Sequence, residues 1–185
     1  MARAGLTDLT RLPAELDRRA RTCRAVIETP RGSRSKFDFD PRTRLFELAG
    51  LLPDGMSFPT DFGFCPSTKA EDGDPMDLMV LHDEPLPTGV LAMVRLIGVI
   101  EGEQTEEGRT FRNDRILAVT ACSHLHENVA DISELGSTFI DNLSGFWVND
   151  NALKQKVFTV KAVSGPKQAV EILERSMTAP GRKRR

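Results

Sequence analysis

The chain has 185 residues, a formal net charge of −2 and a sequence pI of about 6.0. That length suits one domain with a sizeable core, and the balanced charge argues against nucleic-acid and anionic-membrane partners. No apolar run approaches the roughly 20 residues that a membrane helix needs, and Met1 to Thr10 lacks the long apolar core of a secretory signal.

Three scattered cysteines, Cys23, Cys65 and Cys122, are too few for a disulfide framework, so a reducing cytoplasm is the expected setting. Tyrosine is absent. Residues Pro13 to Thr22 read as a short charged helix within an N-terminal extension over 1–23, with Pro13 tolerated in a first turn. Arg24 to Thr29 carries Ala25, Val26 and Ile27 and reads as a strand. Lys36 to Asp40 alternates strictly, which sends Phe37 and Phe39 to one side and the polar residues to the other. A turn over Pro41 to Thr43 and a return strand over Leu45 to Leu48 complete a hairpin.

From Pro53 to Asp77, prolines, glycines and repeated acids predict a long ordered loop, anchored by Phe58, Phe62 and Phe64. Leu78 to Leu81 resumes strand character. Val90 to Ile100 is nearly all apolar and suits a central strand buried on both faces, bent at Gly98. Glu101 to Thr110 reads as a polar hairpin tip, with Arg115 to Val119 as the return strand. A helix is expected from Leu135 to about Leu153, weakened by Gly136 and Gly145. Lys156 to Val163 reads as the last strand, and Gly165-Pro166 opens a helix with Ala169, Ile172 and Leu173 on one face. Strands first and helices late predict an α+β fold, most simply a small closed barrel with helices outside it, mainly C-terminal. The domain is expected over 24–176, followed by a basic disordered tail over 177–185 that ends Gly181-Arg182-Lys183-Arg184-Arg185.

Asp72, Asp74 and Asp77 fall within six residues, and Pro75 stiffens the turn between them. Carboxylates that close repel one another in a folded site unless a cation offsets them. Magnesium accepts one or two carboxylates per ion and keeps several waters, so it needs no closed cage. An isolated Asp-Gly pair is usually a solvated turn, but the flanking aromatic run and buried-type strand favour a site. Calcium bound in an EF-hand is excluded: a loop starting at Asp72 would need an acid or amide at 76 and glycine at 77, where Met76 and Asp77 stand. Cys122, His124 and His126 lack a fourth zinc ligand and read as ordinary residues.

The run Asp72-Gly73-Asp74-Pro75-Met76-Asp77-Leu78 resembles the signature of family I soluble inorganic pyrophosphatases. The resemblance extends to Val26 to Pro30, to Phe58 to Phe64, to Pro85 to Val90, to Gly98-Val99 and to Asp131 to Leu135, in the family's order. It covers about Arg24 to Ser176. It implies an oligonucleotide-binding-type five-stranded barrel, homo-oligomerisation, and magnesium-assisted hydrolysis of inorganic pyrophosphate or another small diphosphate. By the same resemblance Asp74 is the general base that orients or deprotonates water. Asp72, Asp77, Asn113, Glu28 and Asp38 serve the metal ions directly or through their water shell. Lys36, Arg115 and Phe62 face the substrate.

Departures from the family pattern cluster on the substrate side. Ala49 stands where the family has a phosphate-binding arginine, with Arg42 and Arg44 as possible replacements. The aromatic segment carries Phe58 and Phe62 in place of two tyrosines, losing hydroxyl donors. Asn113 replaces an aspartate and Arg115 a lysine, and the Lys36 spacing from Glu28 is one residue shorter. Strand alternation aims Asp114 away from the site. The tip is longer than in the family, leaving Glu103, Glu106 and Glu107 as candidates for a further metal acid. Asn149 and Asp150 replace a tyrosine–lysine pair. These changes leave two further readings open: a hydrolase of an organic diphosphate or nucleotide with Phe58 and Phe62 stacking on it, and a catalytically weak homologue acting as a binding or assembly subunit.

Overall fold

Alternating and apolar runs resolve into nine strands and two α-helices among residues 7–178, the part of the chain that the computed structural model describes. The strands are β1 (Thr22–Thr29), β2 (Ser35–Asp40), β3 (Leu45–Leu51), β4 (Asp61–Phe64) and β5 (Asp77–Leu81), then β6 (Leu91–Glu106), β7 (Arg109–Arg112), β8 (Arg115–Thr120) and β9 (Val157–Ser164). Helix α1 spans Ser137–Leu153 and α2 spans Pro166–Ser176. The basic run at Gly181 to Arg185 lies outside the described residues.

Five strands close on themselves in the order β1, β4, β5, β8, β6, with β6 returning to β1. This ring gives the α+β class and the closure expected of a five-stranded barrel. Only β5 and β8 pair in parallel; the other ring contacts are antiparallel. Both faces of β5 and β8 are covered, which is why they read as unbroken apolar runs. One set of their side chains, including Leu78, Val80 and Ile116, packs with Ala169, Ile172 and Leu173 of α2. The alternate set, Met79, Leu81, Leu117 and Val119, packs with Leu143, Phe146 and Trp147 of α1.

The hairpin β2–β3 stands apart as its own two-stranded sheet. It is tied to β1 by the Thr29 hydroxyl, which accepts from Phe37 N at 3.0 Å, and by Glu28, whose carboxylate accepts from Phe39 N at 2.8 Å. The strand β6 runs past its expected end to Glu106 and turns through Glu107 and Gly108, both at positive φ, into β7. That two-residue turn replaces the long tip expected over Glu101 to Thr110. The segment is polar yet extended because only alternate residues, Gly102 and Gln104, are buried.

Three other expectations are corrected. Pro13 to Thr22 is not helical. Asp17 and Thr22 form a two-bond bridge, the Asp17 carboxylate accepts from Arg19 N and Ala20 N, and Glu15 and Arg21 sit at positive φ. Local side-chain capping wins there over helix propensity. The loop from Pro53 to Asp77 contains β4, a strand too short to show a period. The helix expected from Leu135 starts at Ser137, because Gly136 at φ 80° separates it from a 3-10 turn over Ile132–Leu135.

Glycine is required in β4. A Cβ on Gly63 would overlap the carbonyl oxygen of Val26 on β1, so the ring closes only with hydrogen at that position. The Gly63→Ala variant is therefore expected to lose about 3 kcal/mol of stability, seen as a lowered Tm. An unchanged Tm would show that β1 and β4 do not approach as described.

Candidate active site

The ring, the β2–β3 hairpin and the end of α1 enclose a cavity of about 950 Å³. Its wall includes all nine residues singled out from the sequence: Glu28, Lys36, Asp38, Phe62, Asp72, Asp74, Asp77, Asn113 and Arg115.

The acidic segment is a closed turn. Ala70 N donates to Asp74 O at 2.7 Å, Gly73 N donates to Ala70 O at 3.1 Å, and the Asp72 carboxylate accepts from Asp74 N. Gly73 at φ 98° makes that return possible. Cys65 N donates to Met76 O, extending the β4–β5 ladder and fixing where the turn leaves the sheet. Asp72 and Asp74 sit at the mouth, while Asp77 reaches further in at the start of β5.

Also on the wall, Glu28 is buried on β1, and β2 presents Lys36 and Asp38 as an ion pair at 2.9 Å. From β8 and the residues before it come Arg115 and Asn113. The Arg115 Nη1 donates to both the Asp77 carboxylate and the Asn113 carbonyl. Its guanidinium stacks 4.6 Å from the centroid of the Trp147 ring. A chain of polar contacts runs on from there. Asn113 Nδ2 donates to Gln104 Oε1 at 2.8 Å, Gln104 Nε2 donates to Glu106 Oε2 at 3.1 Å, and Lys156 pairs with Glu106 at 2.8 Å.

Charge is the dominant property of this cavity. Its wall holds nine acids (Glu28, Asp38, Glu71, Asp72, Asp74, Asp77, Glu106, Glu107, Asp150) and seven cations (Arg11, Lys36, Lys69, Arg109, Arg115, Lys154, Lys156). Burial, with Asp38 and Asp77 nearby, pushes the Glu28 carboxyl up to about 8. Burial also pushes Asp77 up to about 6, against the pull of Arg115. Asp74 is shifted upward by burial and by Asp72 and Asp38. For Lys36, burial works downward, but Asp38, Asp77 and Glu28 outweigh it and the net shift is upward.

Other sequence candidates are sorted by position. Glu106 and Glu107 line the cavity, whereas Glu103 points to Lys161 at 2.8 Å and does not. Asp114 faces away as alternation predicts, accepting from Gly102 N and pairing with Arg112. Arg42 is tied to Asp40 at the hairpin turn, and neither it nor Arg44 nor Ala49 belongs to the wall. Phe58, 2 % exposed, and Phe62, 4 %, are packed with Phe146 and Trp147, so neither offers an open ring face for stacking. Asn149 is on the exposed side of α1, while Asp150 is buried in the wall and paired with Lys154 at 2.7 Å. Cys122 and His124 are exposed, and His126 is half-buried.

Sequence reasoning missed Gln104, Trp147, Lys154 and Lys156. Lys154 and Lys156 bracket the junction of α1 and β9, and no local pattern marks that junction as part of a site. Gln104 follows from the two-residue alternation of β6, which places it on the same face as Gly102 and Glu106 once the strand is extended.

Among the described residues, no three His, Cys, Asp or Glu side chains converge closely enough to hold an ion unaided. The donor set nevertheless fits a hard cation. All of the candidate ligands are oxygens, two acids exceed the available cations, and magnesium needs only one or two carboxylates beside water and phosphate oxygens.

The inorganic pyrophosphatase family profile matches residues 25–180. An inorganic pyrophosphatase of Synechocystis sp. is 35 % identical over 150 residues, covering 81 % of this chain and 85 % of that protein. The crystal structure of inorganic pyrophosphatase from Thermus thermophilus superposes with a TM-score of 0.83 at 32 % identity, over 92 % of this chain and 97 % of that one. An inorganic pyrophosphatase from Neisseria gonorrhoeae gives 0.82 at 27 % identity, over 91 % and 96 %. Sequence and three-dimensional likeness run over most of both partners, and the chain belongs to the inorganic pyrophosphatase family.

Proposed function

We propose that the chain hydrolyses inorganic pyrophosphate to two phosphates with the aid of magnesium. The observation that carries this reading is a cavity in a member of this family whose wall gathers Asp72, Asp74 and Asp77 with basic side chains, acids outnumbering bases. Divalent cations entering with a polyanion offset the repulsion between it and those carboxylates.

In this reading Asp72 and Asp77 hold magnesium, with Asn113, Asp38 and Glu28 acting directly or through bound water. Bound magnesium acidifies water and offsets phosphate charge. Asp74, at the mouth and shifted toward neutrality, takes the proton of the attacking water. Lys36 and Arg115 donate to phosphate oxygens, and Arg115 offers a planar fork suited to them. Phe62 closes the wall behind the substrate. Lys154 and Lys156 supply cations on the side where the family's tyrosine–lysine pair is replaced.

The free cysteines Cys23, Cys65 and Cys122 agree with a reducing, cytoplasmic setting, and no helix among the described residues is long and apolar enough to cross a membrane. Leu48 and Leu51 of β3 are 68 and 69 % exposed, share one face of the hairpin across its register shift, and offer an apolar surface for a homo-oligomer.

Phosphate release from pyrophosphate with magnesium is expected to fall about 100-fold or more in Asp74→Asn, with Tm retained. Equal turnover by the variant would remove Asp74 as the base. The raised carboxyls also set a pH dependence. Between about pH 5 and 8 the folded, metal-free chain keeps protons on Glu28 and Asp77 that the unfolded chain releases, so stability falls as pH rises. Thermal melts across that range should show a declining Tm. Glu28→Gln and added magnesium should each flatten the decline. A Tm that rises over the same range would contradict the assigned burial of Glu28.

A further inference from the structure

Arg115 occupies oxygens that the proposed function gives to a cation. Its Nη1 holds the Asp77 carboxylate and the Asn113 carbonyl together. Asn113 has one acceptor oxygen, and its orientation is fixed from behind, because Nδ2 donates to Gln104 Oε1 at 2.8 Å. That oxygen keeps a second lone pair, but the guanidinium bound to it repels a divalent ion brought beside it. Arginine cannot vacate the place by losing a proton, since it stays charged at any pH the protein tolerates. It can vacate it only by moving.

Two further features bear on that movement. The Arg115 side chain is 7 % exposed, yet its Nε is buried without a hydrogen-bond partner, so the observed position leaves a donor unused. An oxyanion in the cavity can satisfy that donor after a small rotation of the side chain. In addition, the guanidinium lies 4.6 Å from the ring centroid of Trp147, the sole tryptophan of the chain.

We infer that Arg115 is a built-in counter-ion that holds the cation's place at Asp77 and Asn113 in the metal-free chain and swings off both oxygens when magnesium binds. The inference rests on the metal role proposed for Asp77. It makes Arg115 a determinant of metal affinity as well as a phosphate donor. The freed guanidinium remains tethered at the start of β8, so its reach is limited to the cavity. Metal entry and phosphate binding are thereby coupled through one side chain.

The experiment titrates the full chain with magnesium alone, without substrate, and follows calorimetric heat and Trp147 emission together. Emission should change and saturate along the calorimetric isotherm. In Arg115→Met magnesium should bind about tenfold tighter, the equivalent of about 1.4 kcal/mol, and emission should no longer respond. In Arg115→Lys the competing charge remains, so affinity should stay near that of the unmodified chain. Magnesium heat with flat emission, or equal affinity in Arg115→Met, overturns the counter-ion role and leaves the metal reading of Asp77 standing. An absence of magnesium heat overturns both. Should Arg115→Met fail to fold, emission of the unmodified chain decides: coincidence with the heat supports the role and a flat trace rejects it.

Discussion

The molecule is organised around β6. This sixteen-residue strand hydrogen-bonds to β1, β7, β8 and β9, and no arrangement of the ring survives without it. Its register against β8 shifts between Leu96 and Gly98, where a side chain on Gly98 would strike Ile132 and the Ser164 carbonyl. The strand does two jobs along its length. Up to Ile100 it closes the ring with β1 and β8. Beyond Ile100 it leaves the ring, pairs with β7 and β9, and places Gln104 and Glu106 on the cavity wall. The strand that closes the core is thus also the strand that opens the site.

Much of this was legible in the sequence, for identifiable reasons. Strands covered on both faces announce themselves as apolar runs, and β5, β6 and β8 lie where those runs are. The acidic turn was legible because Gly73 and Pro75 punctuate three carboxylates at short spacing, and a turn is a local object. Less local features escaped. The strand β4 has four residues and no visible period, and it exists because Gly63 admits the β1 backbone. The missing helix over Pro13 to Thr22 fails through Asp17, whose carboxylate caps a turn that a propensity scale does not weigh. Lys154 and Lys156 enter the wall only because α1 ends where β9 begins, and that is a property of the assembled fold.

The cavity holds its anion donors in ion pairs. Lys36 with Asp38, Arg115 with Asp77, Lys154 with Asp150 and Lys156 with Glu106 are ion pairs around one space. Each pair stores a cation beside a carboxylate, and an arriving phosphate must compete with that carboxylate for it. In the proposed function, magnesium bound at the acids would relieve that competition. Phe62 brings no hydroxyl to the wall, so anion binding there falls on these charged pairs and is sensitive to screening by salt.

The polar chain from Asp77 to Lys156 has a direction. Arg115 only donates, the Asn113 carbonyl accepts, its amide nitrogen donates to Gln104, and the Gln104 nitrogen donates to Glu106. An aspartate at 113 would set a second acceptor against Gln104 Oε1. The Gln104 amide would then have to flip, presenting oxygen to Glu106 and breaking the next link. Residues at 104, 106 and 113 are therefore not free to drift separately. In the history of the chain, an exchange at one of them constrains what the other two can become.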